Sequence, residues 1–118
     1  MSLLEELATL GVDVEGGVKR LSGKQSLYER MMFKFLDMVK KSEVSPDFDS
    51  SSYNDVMEVA HALKGAAGNL SVTPLYEGYG QIVDLLRKGK PEEARKVLVD
   101  MLPVQEKIMD CIARHANA

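Results

Sequence analysis

The sequence predicts an all-α domain, because hydrophobic residues recur at helical spacing along almost the whole chain and no segment shows the alternation of a β-strand. Turn signals rich in Gly, Pro, Ser and Asp separate these segments at regular intervals. The 118 residues suit one domain (1–118), and 45% hydrophobic with 28% charged residues is typical of globular proteins. Short connections between the long segments favour an antiparallel up-and-down four-helix bundle with short extra helices at the N-terminal end.

Two short helices are predicted first. One covers about residues 3–10 and ends at Gly11. Asp13 is suited to capping the second, which ends near Leu21 before Gly23, because a carboxylate accepts hydrogen bonds from the free N–H groups of a first turn.

Two long amphipathic helices follow. The first covers about residues 26–41, and its predicted apolar side contains Leu27, Met31, Phe35, Met38 and Val39. A polar, serine-rich loop ends at Ser52, which is expected to cap the next helix through its hydroxyl group. That helix is predicted to run to about Leu70.

Two further helices are predicted after residue 70. Thr73 is expected to cap the first, with Pro74 at its first helical position, and Gly89 ends it. Its apolar stripe contains Leu75, Tyr79, Ile82, Val83 and Leu86. Pro91 opens the last helix, whose predicted apolar face contains Val97, Met101, Val104, Ile108 and Ile112. Pro103 is expected to bend this helix without ending it, because the apolar register continues on both sides.

Composition argues against several classes of partner. A net charge of −3 leaves no basic excess for a phosphate backbone, so nucleic acid is not an expected partner. The N-terminal residues do not resemble a secretory signal and no segment reaches membrane-spanning length, so no membrane association is expected. The single cysteine, Cys111, forms no internal disulfide and suits a reducing compartment. These features predict a cytoplasmic location.

The most informative segment is residues 60–70, Ala-His-Ala-Leu-Lys-Gly-Ala-Ala-Gly-Asn-Leu. At about 100° per residue, its apolar side chains gather on one side of the helix, and the opposite side carries Met57, His61, Lys64, Gly65 and Gly68. His61 is therefore predicted to point away from the core. A neutral imidazole is a competent nucleophile at cellular pH without a dedicated base.

The neighbours of His61 strengthen this interpretation. Gly65 and Gly68 each weaken a helix by about 1 kcal/mol relative to alanine, so something must favour the missing side chains. One explanation is close packing of another helix, and the other is a smooth surface on which a second protein can approach His61. Lys64 lies three residues after His61 and can neutralise a transferred phosphoryl group. Met57 is a candidate for apolar contact with that second protein.

Residues 60–70 resemble the signature of the histidine-containing phosphotransfer (HPt) family. Residues 11–15 and 18–23, followed by Leu27, Tyr28 and Phe35, are similar to the family's opening segment. The resemblance covers the first two-thirds of the chain. It implies that His61 is the phosphorylated residue, that Lys64 assists the phosphoryl group, and that Gly65 and Gly68 leave room for the partner. The sequence departs from the family pattern at Ser71, where glycine is common, and at Gly78 and Gly80 within the next helix.

The resemblance also implies partners and cofactors. Family members exchange phosphate with the aspartate of response-regulator receiver domains, and a hybrid sensor histidine kinase is a further candidate partner. The Mg²⁺ needed for this exchange belongs to the receiver, so no intrinsic cofactor is expected here. The chain would then be a monomeric phosphotransfer intermediate without kinase activity of its own, in agreement with the lack of a phosphate-binding glycine loop.

Two other classes of function stay open. A non-catalytic helical interaction module would use the same face of His61 without phosphorylation. A metal-binding bundle would use Cys111 and His115, which are one helical turn apart, together with His61. The second is less favoured, because Cys111 and His115 are too few ligands and His61 lies on an outward face.

Overall fold

The computed structural model describes residues 1–117 and confirms the all-α prediction. No strand occurs among these residues. The six helices are α1 (Leu3–Thr9), α2 (Val14–Arg20), α3 (Gln25–Lys41), α4 (Asn54–Asn69), α5 (Thr73–Arg87) and α6 (Pro91–Ala116). Within residues 1–117, no helix is both long enough and apolar enough to cross a lipid bilayer.

Side chains cap both short helices. The Ser2 hydroxyl accepts a hydrogen bond from the backbone N–H of Glu5, and the Glu5 carboxylate accepts one from the backbone N–H of Ser2. At α2 the Asp13 carboxylate accepts from the N–H of Gly16 at 3.0 Å, as predicted. Local sequence therefore determines where α1 and α2 begin.

The predicted hydroxyl caps of α4 and α5 are wrong. Ser52 belongs to a turn in which its N–H donates to the carbonyl of Asp49, so α4 begins two residues later, after Tyr53. Thr73 is the first residue of α5 rather than its cap, and its hydroxyl donates to the carbonyl of Ser71 at 3.3 Å. In both cases the conformation of the preceding turn fixes the start of the helix.

Burial confirms the predicted apolar face of α5, whereas the buried faces of α3 and α6 differ from the predicted ones. All five predicted residues of α5 are buried. In α3, Tyr28, Met32 and Leu36 are buried, whereas the predicted Leu27, Met31 and Met38 are only partly buried. Burial of Tyr28 is possible because its hydroxyl donates to the carbonyl of Leu70 at 2.7 Å.

A similar shift occurs in α6. Val104 is 37% exposed, contrary to the prediction, and the neighbouring Gln105 is buried. The buried amide is satisfied, because the Tyr79 hydroxyl donates to its oxygen. Pro103 lies inside α6 without ending it, as predicted.

Packing places α4 against α5 and α5 against α6, with α3 contacting α6 and α4. Ser71 makes the tight connection between α4 and α5 with a φ of +55°. Glycine adopts this left-handed conformation readily, whereas a residue with a Cβ atom, such as Ser71, adopts it at a cost of about 1 kcal/mol. Of the two glycines inside α5, Gly78 has a packing reason, because a Cβ atom there would collide with Met101. A Cβ atom on Gly80 would make only ordinary contact, at 3.5 Å, with the stem of Lys64.

One arginine of α6 holds the loop between α3 and α4. The Arg95 guanidinium donates to the carbonyls of Pro46 and Phe48, both at 2.6 Å, and to the Ser50 hydroxyl at 2.9 Å. It also lies 4.6 Å from the centroid of the Phe48 ring and pairs with Glu92 at 2.7 Å. The loop forms turns of its own, such as the one closed by Ser52 and Asp49, and Arg95 attaches these turns to α6.

Candidate functional site

His61 lies near the middle of α4, on the face directed away from the core. Ala60, Leu63 and Ala67 are buried on the opposite side of the helix, and His61 and Gly65 are exposed. Within residues 1–117 no hydrogen bond or ion pair involves the imidazole. The predicted outward position of His61 is therefore confirmed, and its ring nitrogens are open to an external group.

Gly65, one turn after His61, borders open space. A Cβ atom placed there would meet no neighbouring side chain or helix within 4 Å. The helix loses about 1 kcal/mol by having glycine instead of alanine at this position, and packing within the described chain does not offset that loss. The missing side chain leaves the surface beside His61 low and flat.

Gly68 has a different reason to be glycine. A Cβ atom at this position would lie only 2.9 and 3.0 Å from two ring carbons of Tyr76, which comes from α5. The close packing considered for both glycines thus applies to Gly68 and not to Gly65. Tyr76 is 44% exposed, so its ring takes part in the same surface as His61 and Gly65.

Lys64 is held against α5. Its ammonium lies 5.7 Å from the centroid of the Tyr76 ring, within range of a cation–π interaction, and its stem passes over Gly80. Lys64 forms no ion pair among residues 1–117, so its charge is not neutralised by a carboxylate there. A cation held in this way is available to an incoming anion.

A shallow groove of about 540 Å³ continues from Gly65 along the end of α4. Arg20 borders it and donates a hydrogen bond to the carbonyl of Gly68, where a cation stabilises the C-terminal end of a helix. Tyr76, Asn69 and Glu77 also line the groove. Sequence reasoning missed Arg20 and Tyr76, because both reach α4 from other helices and no local pattern marks them.

Met57 lies one turn before His61 and is partly buried against the core. Part of its side chain therefore has a packing role. Its contact with a partner stays a prediction.

Cys111 and His115 lie elsewhere, where α1 contacts α6. The third potential ligand beside them is Glu6, whereas His61 is not part of this group. Hydrogen bonds from Arg114 and then His115 lower the pKa of Glu6 to about 2. Burial, followed by the charge of Glu6, raises the pKa of the Cys111 thiol to about 11. The ligand group considered from the sequence is thus not the one that the fold brings together.

The likeness of residues 60–70 to the phosphotransfer signature now has a local geometry: an exposed imidazole, an open glycine and a lysine held beside them. Each of these features belongs to the chain itself. Comparisons with protein-family models, with curated proteins and with solved structures find no match.

Proposed function

We propose that this protein is a histidine phosphotransfer module that carries a phosphoryl group on His61 to and from the aspartates of receiver domains. The observation that supports this most directly is the exposed imidazole of His61 with open space at Gly65. A bulky donor must bring its phosphoaspartate within bonding distance of a ring nitrogen, and a side chain one turn away would obstruct it. A flat surface at Gly65 meets this requirement.

The transfer step needs few groups from this chain. The lone pair of one ring nitrogen of His61 attacks the phosphorus atom and forms the N–P bond. The bond between phosphorus and the donor's aspartate oxygen breaks, and its electron pair leaves with the carboxylate. Return of the phosphoryl group to an acceptor aspartate reverses these changes and frees the imidazole.

Lys64 is proposed to stabilise the charge of the phosphoryl group during this transfer. The contact with Tyr76 holds the Lys64 side chain against α5, which reduces the number of conformations lost when an anion binds. Tyr76 is thus a positioning residue for Lys64. Met57, Gly68 and the groove beyond it extend the proposed docking face.

The proposal has further parts that concern the whole chain. Helices α3 to α6 would form the antiparallel up-and-down four-helix bundle predicted from the sequence, and their short connections favour that topology. The chain would act as a cytoplasmic monomer. The receiver would supply Mg²⁺, and a hybrid kinase or another phosphorylated receiver would supply the phosphoryl group.

Labelling with phosphorylated receivers tests the proposal. The purified protein is incubated with a panel of receiver domains carrying labelled phosphoaspartate, and acid-labile phosphate on this chain is mapped by mass spectrometry. His61→Gln should take up no label and His115→Gln should label normally. Circular dichroism and thermal unfolding should show that both variants are folded. Substitutions at exposed positions such as His61 usually change stability by less than about 0.5 kcal/mol, and His115, which is partly buried, lies in the last turn of α6.

Three results would contradict the proposal. Label on His115, or normal labelling of His61→Gln, would place the chemistry elsewhere. A receiver that binds the chain tightly without transferring phosphate would favour the non-catalytic interaction module instead.

A further inference from the structure

The contact between α1 and α6 brings three different metal-ligating side chains together. Cys111 and His115 are one turn apart on α6, and Glu6 of α1 faces both. Glu6 Oε1 lies 3.3 Å from His115 Nε2, and the ligand atoms of all three residues lie within 4.8 Å of one another. Glu6 is more than a hundred positions from both Cys111 and His115 in the sequence, so the cluster depends on the fold.

We propose that Glu6, Cys111 and His115 bind one Zn²⁺ ion, with water as the fourth ligand. Sulfur, imidazole nitrogen and carboxylate oxygen are the donors that zinc takes in proteins. Zinc bonds of about 2.0–2.3 Å place tetrahedral ligand atoms about 3.3–3.8 Å apart. The spacing between Glu6 and His115 already has this value, so binding requires only small side-chain rotations elsewhere.

Arg114, beside the cluster, orients one of its ligands. Arg114 donates hydrogen bonds to both carboxylate oxygens of Glu6, its closer contact being with Oε2, and so fixes the orientation of the carboxylate while Oε1 faces His115. Such outer contacts orient the ligands of metal sites. A carboxylate and a thiolate balance the two positive charges of Zn²⁺, so Arg114 can keep its contact with Oε2.

The site is both anchored and reachable. The Cys111 side chain is fully buried, whereas Glu6 and His115 each keep about a fifth of their side-chain surface exposed. The ion can therefore enter from the side of Glu6 and His115. As the S–Zn bond forms, the Cys111 thiol proton passes to solvent, which is the ordinary exchange when a thiol binds zinc.

Bound zinc would join the first helix to the last. α1 has seven residues and buries only Leu3 and Leu7, so few apolar contacts hold it. An ion shared between α1 and α6 adds a link that is lost when either helix moves away. This inference is independent of the chemistry of His61.

Metal titration of the chelator-treated protein tests the site. Co²⁺ should give the thiolate-to-metal charge-transfer absorption of a cysteine ligand, and Zn²⁺ should displace it with a stoichiometry of one ion per chain. Glu6→Gln, Cys111→Ser and His115→Gln should each weaken Zn²⁺ binding by at least about tenfold. Two control variants should bind Zn²⁺ as the parent does: His61→Gln, and Glu106→Gln, which replaces an exposed carboxylate of α6.

Unfolding measurements on the other variants test the zinc site even if Cys111→Ser does not fold. Zn²⁺ should raise the melting temperature of the parent protein and of Glu106→Gln, and should not raise that of Glu6→Gln or His115→Gln, whose substituted side chains are partly exposed. The inference is overturned if Co²⁺ gives no charge-transfer band, if Glu6→Gln and His115→Gln bind Zn²⁺ like the parent, or if only His61→Gln loses binding.

Discussion

The two glycines of the His61 face should respond in opposite ways to the same small substitution. Gly65→Ala adds a methyl group into open space, so only the gain in helix propensity remains, and the free energy of unfolding should rise by about 1 kcal/mol. Gly68→Ala gains as much propensity but places its methyl group 2.9 Å from the Tyr76 ring. The ring must then move.

The cost at Gly68 can be bounded from the position of that ring. Overpacking of a side chain costs about 1–3 kcal/mol, and Tyr76 is exposed enough to move outward, which favours the lower part of that range. Gly68→Ala should therefore change stability by between about 0 and −1 kcal/mol. The two alanine variants should differ by about 1–2 kcal/mol.

A double-mutant cycle with Tyr76→Ala isolates the contact. Without the ring, Gly68→Ala should stabilise the protein by about 1 kcal/mol, as Gly65→Ala does in the parent, which gives a coupling energy of about 1–2 kcal/mol. Urea unfolding measures each corner, and a shift in melting temperature of about 4 °C per kcal/mol provides a second readout. Gly65→Ala combined with Tyr76→Ala is the control and should be additive.

The explanation of the two glycines would be refuted by equal stabilisation in both variants or by a coupling energy near zero between positions 68 and 76. Destabilisation by Gly65→Ala would likewise show that the space beside His61 is filled.

Three further outcomes are expected. Gly65→Arg should fold but accept phosphate from receivers at least about tenfold more slowly, because its side chain covers the approach to His61; a normal rate in stopped labelling assays would contradict the docking face. Lys64→Ala should also slow transfer, by about tenfold if one charge-assisted contact is lost, whereas Lys107→Ala on α6 should not; equal rates for the two would return Lys64 to a solubilising role. Burial raises the pKa of Tyr79 to about 12, above the usual 10 of an unfolded chain, so its contribution to stability is complete below pH 10 and is lost as the pH rises towards 12. Tyr79→Phe should therefore lose less stability than the parent between pH 10 and 12 in unfolding experiments. An identical loss in both proteins would argue against the buried hydroxyl.

Sequence patterns predicted the elements of this fold well because the determinants of most helices are local. The apolar stripe of α5, the Asp13 cap and the proline that opens α6 all act within a few residues of themselves. The prediction of a Ser52 cap failed because the backbone N–H of Ser52 closes a turn with Asp49, which the presence of a hydroxyl group alone does not reveal. The prediction for Val104 failed because the neighbouring Gln105 is buried instead, where Tyr79 of another helix supplies a partner for its amide.

The candidate site shows the same limit. The outward position of His61 and the space at Gly65 follow from the period of one helix. Gly68 cannot be distinguished from Gly65 in the sequence, yet glycine is required there by close packing of Tyr76. Lys64 lies over the same ring. Glu6 could not be joined to Cys111 and His115 from the sequence, because their proximity arises only when the first and last helices meet.

Arg95 has a consequence for the order in which the chain folds. Its hydrogen bonds to the loop between α3 and α4 connect residues that are 45 to 49 positions apart, so they cannot form by local collapse. Closing a chain segment of that length must precede any stabilisation from these bonds. These bonds to the loop therefore form only when α6 docks, whereas the loop's own turns and the helical turns of α4, with His61 among them, can form before that step.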